Sequence, residues 1–189
     1  MNAYELAKAE IGTVEWGNGS NPKVVAYFRD AGHAEVSDDA TAWCAAFVGA
    51  MIKRSGGKPT GSLMARSYLT WGNPVDLKDA REGDIAVFSR GNSSWQGHVA
   101  FFVKENASTL TVLGGNQSDQ VKLSTYPKSS LLSIRRAKAS QEPPFLNKPP
   151  QETPAPVPPP IPAQTPASRP VGLVGALAAI FAAFFRKGS

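Results

Sequence analysis

The chain has 189 residues, with 20 Lys and Arg against 15 Asp and Glu, two histidines and a single cysteine, which is room for one domain with a real core and an appendage. One cysteine excludes an internal disulfide framework and a cysteine-rich zinc site, and His33 and His98 are too few soft ligands for a convincing catalytic metal, so chemistry without metal or other cofactor is expected. The net charge of +5 is split as 16 basic against 14 acidic residues before residue 143 and four against one after it; the basic residues of the longer part are scattered and not interleaved with aromatics, which weighs against a nucleic-acid partner.

In chain order, helices come first. The opening "MNAYELAKAEIG" carries Glu5 and Glu10 and no continuous apolar core, so it reads as a helix and not as a secretory signal. Synthesis in the cytoplasm without a signal peptide, followed by action elsewhere, is the matching expectation. "NPKVVAYFRDAG" has the Asn cap, the Pro in the first turn and the Gly past the end that delimit a helix. In "DDATAWCAAFVGAMIKRSGG", Thr41 is the expected cap, and Cys44, Phe47, Val48 and Met51 fall at helical spacing on one apolar stripe. A fourth helix is expected over "SLMARSYLTWG". Five strands are then expected at 83–90, 98–105, 109–116, 121–127 and 131–138. Helices followed by a run of strands predict an α+β fold with an antiparallel sheet of about five strands.

From about Gln141 the composition shifts to a segment holding most of the chain's 16 prolines. Such a run (141–170) cannot bury a core and is expected to be an extended linker, about 27 residues of which reach on the order of 80 Å at ~3.1 Å per residue. It leads to "VGLVGALAAIFAAFF", apolar all round and closed by Arg186 and Lys187. As a helix of about 15 residues it is roughly 22 Å long, shorter than the ~30 Å hydrocarbon core, and it is expected to engage membrane lipid through residues 171–187. The organisation is therefore a domain over 1–140, a linker over 141–170 and a membrane-interacting tail over 171–189, with no obligate protein partner indicated.

A lone cysteine is most often a packed thiol, so a partner base decides its role. Cys44 at the start of a helix lies among unpaired amides that favour thiolate. His98 opens the strand "HVAFFVKE" after the polar loop "RGNSSWQG", at a sheet end. With a three-residue hairpin loop over 106–108, Glu105 faces Thr109, facing residue numbers sum to 214, and His98 falls opposite Asn116, about 5 Å away between Cβ atoms. Cys44 is then the expected nucleophile, His98 the general base and acid, and Asn116 the residue that fixes the imidazole. Trp43 and Trp95 are expected to wall the cleft, with Asp39 and Gln117 also on the substrate side, while His33 reads as a solvated loop residue.

The segments "WCAAFV", "ARSYLTWG", "GDIAVFSR", "GHVAFFV" and "VLGGNQSDQV", in this order and spacing, resemble the papain-like cell-wall hydrolases of the CHAP and NlpC-type group, in particular those of phage lysins. The resemblance covers about residues 1–138. It implies a papain-like core with the cysteine helix packed on the sheet, and cleavage of an amide bond in peptidoglycan. By residue it implies Cys44 as nucleophile, His98 as base and Asn116 as third polar position. Trp43 stands where many NlpC-type relatives carry Asp, which favours the CHAP side. Other classes fit less well. A tail-anchored wall-binding module leaves the thiol idle; a secreted wall-degrading toxin needs an export route. Lipid acyltransferases of papain-like type place the histidine before the cysteine, the reverse of the order here.

Overall fold

The computed structural model describes residues 1–138; the expected linker and apolar tail lie outside the described residues. Three α-helices open the chain: α1 (Ala3–Ala9), α2 (Pro22–Ala31) and α3 (Cys44–Arg54). The first two begin on asparagine caps, with the Asn2 side chain accepting from the Glu5 amide and that of Asn21 from the Lys23 amide at 2.9 Å each. Gly32, at φ 100°, closes α2 in the left-handed conformation that favours glycine. Helix α3 differs. Its cap position is Trp43 rather than Thr41, and no side chain bonds its first turn. Thr41 instead belongs to a turn in which its amide donates to Asp38 at 2.8 Å.

The expected fourth helix is two turns of 3-10 helix, Ala65–Thr70. It buries Ala65 and Tyr68, three residues apart on one side, a spacing that suits the tighter 3.0-residue turn. Among the described residues, no helix is long and apolar enough to cross a membrane.

Six strands follow: β1 (Asn73–Val75), β2 (Ile85–Ser89), β3 (Gly97–Glu105), β4 (Thr109–Gly114), β5 (Lys122–Pro127) and β6 (Leu131–Arg136). They form one antiparallel sheet in the order β1-β6-β2-β3-β4-β5, so the fold is α+β as expected, with one strand more. The added strand, β1, is three residues long, contains Pro74 and lies at the sheet edge, where a residue without an N–H is tolerated.

Alternation along the central strands divides the core in two. Ile85, Val87, Val99, Phe101 and Leu113 face the helices and pack with Tyr27, Phe47, Val48 and Met51. Ala86, Phe88, Ala100, Phe102, Leu110 and Val112 face the other way and form a second cluster with Tyr126 and Leu131. Phe88 on β2 and Tyr126 on β5 stack at 4.8 Å between ring centroids, although β3 and β4 lie between their strands. A flat sheet would separate those strands by about 14 Å. The sheet therefore curls around the second cluster like an open barrel. Register shifts after Val87 on β2 and after Phe102 on β3 supply local bending.

The end of β4 locks the curled sheet to α3. A Cβ on Gly115 would meet Phe47 Cβ and the Trp43 ring at 2.6 Å, and one on Gly114 would meet Ala100 Cβ at 2.9 Å and His98 Nε2 at 3.3 Å. Two adjacent glycines thus let one backbone pass against the first turn of α3 and against β3. Phe47 and Trp43 are fully buried and cannot yield. Gly115→Ala is expected to lower unfolding free energy by about 2 kcal/mol, read as a lower urea midpoint. Gly17→Ala, which has open space around it, is the matched control and should leave the midpoint unchanged or slightly raised.

Candidate active site

Because Trp43 caps α3 without a side-chain bond and the first intrahelical bond runs from the Phe47 amide to the Trp43 carbonyl, the amides of Cys44, Ala45 and Ala46 are left outside the helix ladder. Cys44 is the first helical residue, 8% exposed. Its sulfur is approached by the backbone amides of Val99, Ala45 and Cys44 itself. Val99 is the residue after His98, so the contact to its amide brings the thiol to the stretch of β3 that carries the imidazole.

His98 is 9% exposed and lies flat against Tyr126, with ring centroids 4.9 Å apart and planes 13° from parallel. Its Nε2 is 3.3 Å from Gln117 Oε1. The orientation of that amide is determined by its other bonds: Gln117 Nε2 donates to the carbonyls of Gly114, at 3.2 Å, and Lys122. Carbonyls only accept, so the NH2 group must point at them and the oxygen at His98. The imidazole therefore carries its proton on Nε2, and Nδ1 keeps a lone pair available to a proton donor.

The amide that meets His98 is thus Gln117's, not Asn116's. The expected facing-number sum of 214 does hold near the site, at Phe101 with Leu113 and Phe102 with Val112. It holds for a reason other than the expected hairpin. At the hairpin Glu105 faces Leu110, a sum of 215, and the bulge between Phe102 and Lys104 removes the extra residue. But β4 ends at Gly114, and Asn116 turns into the left-handed region at φ 54°, followed by Ser118 and Asp119 at 51° and 61°. Asparagine is among the few residues that accept that conformation readily. The turn aims the next side chain, Gln117, back at the imidazole and buries it.

Two of the residues expected to contact substrate are buried and bonded within the fold. Trp43 is fully buried and donates from Nε1 to Glu15 at 3.1 Å, with its indole packed against Tyr27. Asp39 is 2% exposed, and its Oδ2 accepts from the amides of Trp16 at 2.9 Å and Asn21 at 2.8 Å. Together they tie the segment 13–21 to the entrance of α3. Trp95, by contrast, is 63% exposed on the loop between β2 and β3. That loop is held by Arg66, which donates to the carbonyls of Ser93 and Gln96 at 2.7 Å each. His33 bonds Glu35 and the Gly61 carbonyl, away from the thiol. Tyr126 is not among the site residues expected from the sequence. The alternation of Lys122, Ser124 and Tyr126 along β5 was its signal, but only the curl of the sheet brings β5 over β3.

Burial dominates the electrostatics. Desolvation pushes the Cys44 thiol up from its ordinary value, and the surrounding amides and the nearby Arg90 only partly oppose it. Desolvation likewise lowers His98 to about 4, with the Gln117 bond acting to raise it and Arg90 to lower it. Both groups are therefore neutral at neutral pH, contrary to the thiolate expected from the helix terminus alone. A neutral imidazole with an open Nδ1 can accept a proton from a thiol as the sulfur attacks. A cavity of about 260 Å³ bounded by Tyr4, Trp71, Phe101 and Arg135 contains none of these residues.

If Gln117 holds the imidazole, Gln117→Ala should lower kcat by about tenfold, the worth of one net hydrogen bond. Asn116→Gly, which keeps the left-handed turn and deletes the amide, should leave kcat near wild type. Steady-state rates of the two variants distinguish them.

Residues 36–116 match the family model described as the CHAP domain. The match includes Cys44 and His98 and ends one residue before Gln117. No curated protein matches the chain.

Proposed function

We propose that this protein, which carries a CHAP domain and with it the general chemistry of peptidoglycan amidases and endopeptidases, hydrolyses an amide bond of the wall peptide through Cys44, His98 and Gln117. The observation that carries this reading is the satisfied amide of Gln117, which presents an oxygen to His98 Nε2 and leaves Nδ1 as base. In the proposed reaction His98 Nδ1 takes the thiol proton while Cys44 Sγ bonds to the scissile carbonyl carbon. Charge on the carbonyl oxygen is met by uncapped amides at the head of α3. The C–N bond then breaks as the imidazolium gives its proton to the leaving amine. Water, deprotonated by His98, cleaves the thioester and restores the thiol. Tyr126, stacked on the ring, keeps the imidazole in plane during both transfers.

The wider reading is a lysin of phage type. Its cationic, apolar tail engages an anionic membrane surface through residues 171–187, and the proline-rich linker lets the domain reach the wall. Scattered basic residues, a catalytic domain close to neutral and an apolar terminal segment support it.

The depressed imidazole sets the pH dependence. A base whose folded pKa is lowered stays neutral, and so competent, to lower pH than an ordinary imidazole near 6.5. kcat/KM on purified wall is therefore expected to persist at pH 5 and fall with a midpoint near 4. An acid limb at 6 to 6.5 would contradict the neutral-pair mechanism. Deleting residues 143–189 is expected to leave hydrolysis of purified wall unchanged and to weaken co-sedimentation with anionic vesicles. Equal vesicle binding by full-length and shortened chains would remove the tail's assigned role.

A further inference from the structure

Arg90 follows the last residue of β2, and the ladder that fixes His98 also fixes its side. Phe88 faces His98 and Ser89 faces Gly97 across β2 and β3. The position two beyond Phe88 returns to the face of the sheet that carries the imidazole. The Arg90 guanidinium acts electrostatically on the Cys44 sulfur, the His98 ring and the Tyr126 phenol alike, which places it at the mouth of the site. It is exposed. Among the described residues, no carboxylate or carbonyl pairs with it. Other arginines of the domain are engaged: Arg54 by Glu10 and Asp30, Arg66 by the loop carbonyls, Arg136 by Asp84.

A cation beside the dyad opposes the imidazolium that must form when His98 accepts the thiol proton. A substrate anion seated on the guanidinium would cancel that opposition and add a bidentate contact for which the planar fork is suited. The loop that continues from Arg90 to His98 is held by Arg66 and carries the exposed Trp95.

We propose that Arg90 is a specificity-determining residue that binds a substrate carboxylate close to the scissile amide, so that the protein selects peptides carrying a free acid there over those carrying the corresponding amide. The proposal rests on the hydrolase reading above and names the charge of its substrate.

The test uses the full-length protein and two wall-type stem peptides that differ only in having a carboxylic acid or a carboxamide on the residue next to the scissile bond. Wild type is expected to favour the acid form by roughly tenfold in kcat/KM, the size of one close charge pair near a protein surface, with the preference shrinking as salt rises. Arg90→Gln should bring the ratio to about one and Arg90→Lys should restore part of it. If Arg90 serves only to tune the dyad, Arg90→Gln will change both rates by the same factor and leave the ratio intact, which overturns the proposal. Equal rates on both peptides with wild type also overturn it. Binding of the same peptides to Cys44→Ala, measured by calorimetry, separates this reading from the parent one. Acid-selective binding that is lost on adding Arg90→Gln, without cleavage by wild type, would uphold the carboxylate site and refute the hydrolase. Binding that does not distinguish the two peptides would refute the site whatever the activity.

Discussion

The close approach of the backbone at Gly114 and Gly115 is the constraint on which the site depends. On one side a hydrogen replaces the Cβ that would strike Trp43 and Phe47; on the other, one that would crowd His98 and Ala100. The end of β4 can therefore lie between the head of the cysteine helix and the strand of the imidazole, and the turn that follows begins from a fixed point. The hydrogen bond that orients His98 is built on that turn: the left-handed Asn116, the inward Gln117, and the carbonyls of Gly114 and Lys122 on either side of it that hold the Gln117 amide; Tyr126 adds its stacked ring from β5. The sulfur is registered to the same strand through the Val99 amide.

Placing thiol and imidazole in so buried a position has an electrostatic consequence. Uncapped amides at a helix terminus favour thiolate, but a group nearly out of water loses more by desolvation than a few amides return. The result is a pair that is neutral at neutral pH, and in the proposed mechanism the proton moves during attack rather than before it. An arrangement of this kind makes the nearby charges matter more, since the imidazolium exists only transiently and in a medium of low dielectric. It is at that step that the role proposed for Arg90 and for the charge of the substrate would enter the energetics.

Much of this was legible in the sequence. Capping residues and periodicity delimit α1, α2 and the body of α3, and alternation finds five of the six strands; β1 was hidden because three residues with a central proline carry no strand signal. Cys44 and His98 stood out because a helix start and a strand start are where a fold can present side chains to a cleft. The orienting amide lies one residue beyond the expected Asn116, at Gln117. Counting across a hairpin gives the correct sum near His98 only because a bulge cancels a different loop register, and no pattern in "HVAFFVKE" announces that bulge. Nor does a sequence show that the chain leaves the strand at Gly114, so that Asn116 serves a turn. Trp43 and Asp39 stand close to Cys44 in the sequence, and nothing in that stretch shows that they are buried. Their burial reflects a tertiary tie to the segment 13–21 that lies far away in the chain.

The most direct measurement is mass spectrometry of the fragments released from purified peptidoglycan by wild type and by Cys44→Ala, both shown to be folded. The account requires amide-cleaved muropeptides from wild type alone, and their masses would name the bond. Identical fragments from both proteins, or intact wall with wild type, would contradict it and return Cys44 to the standing of a packed thiol.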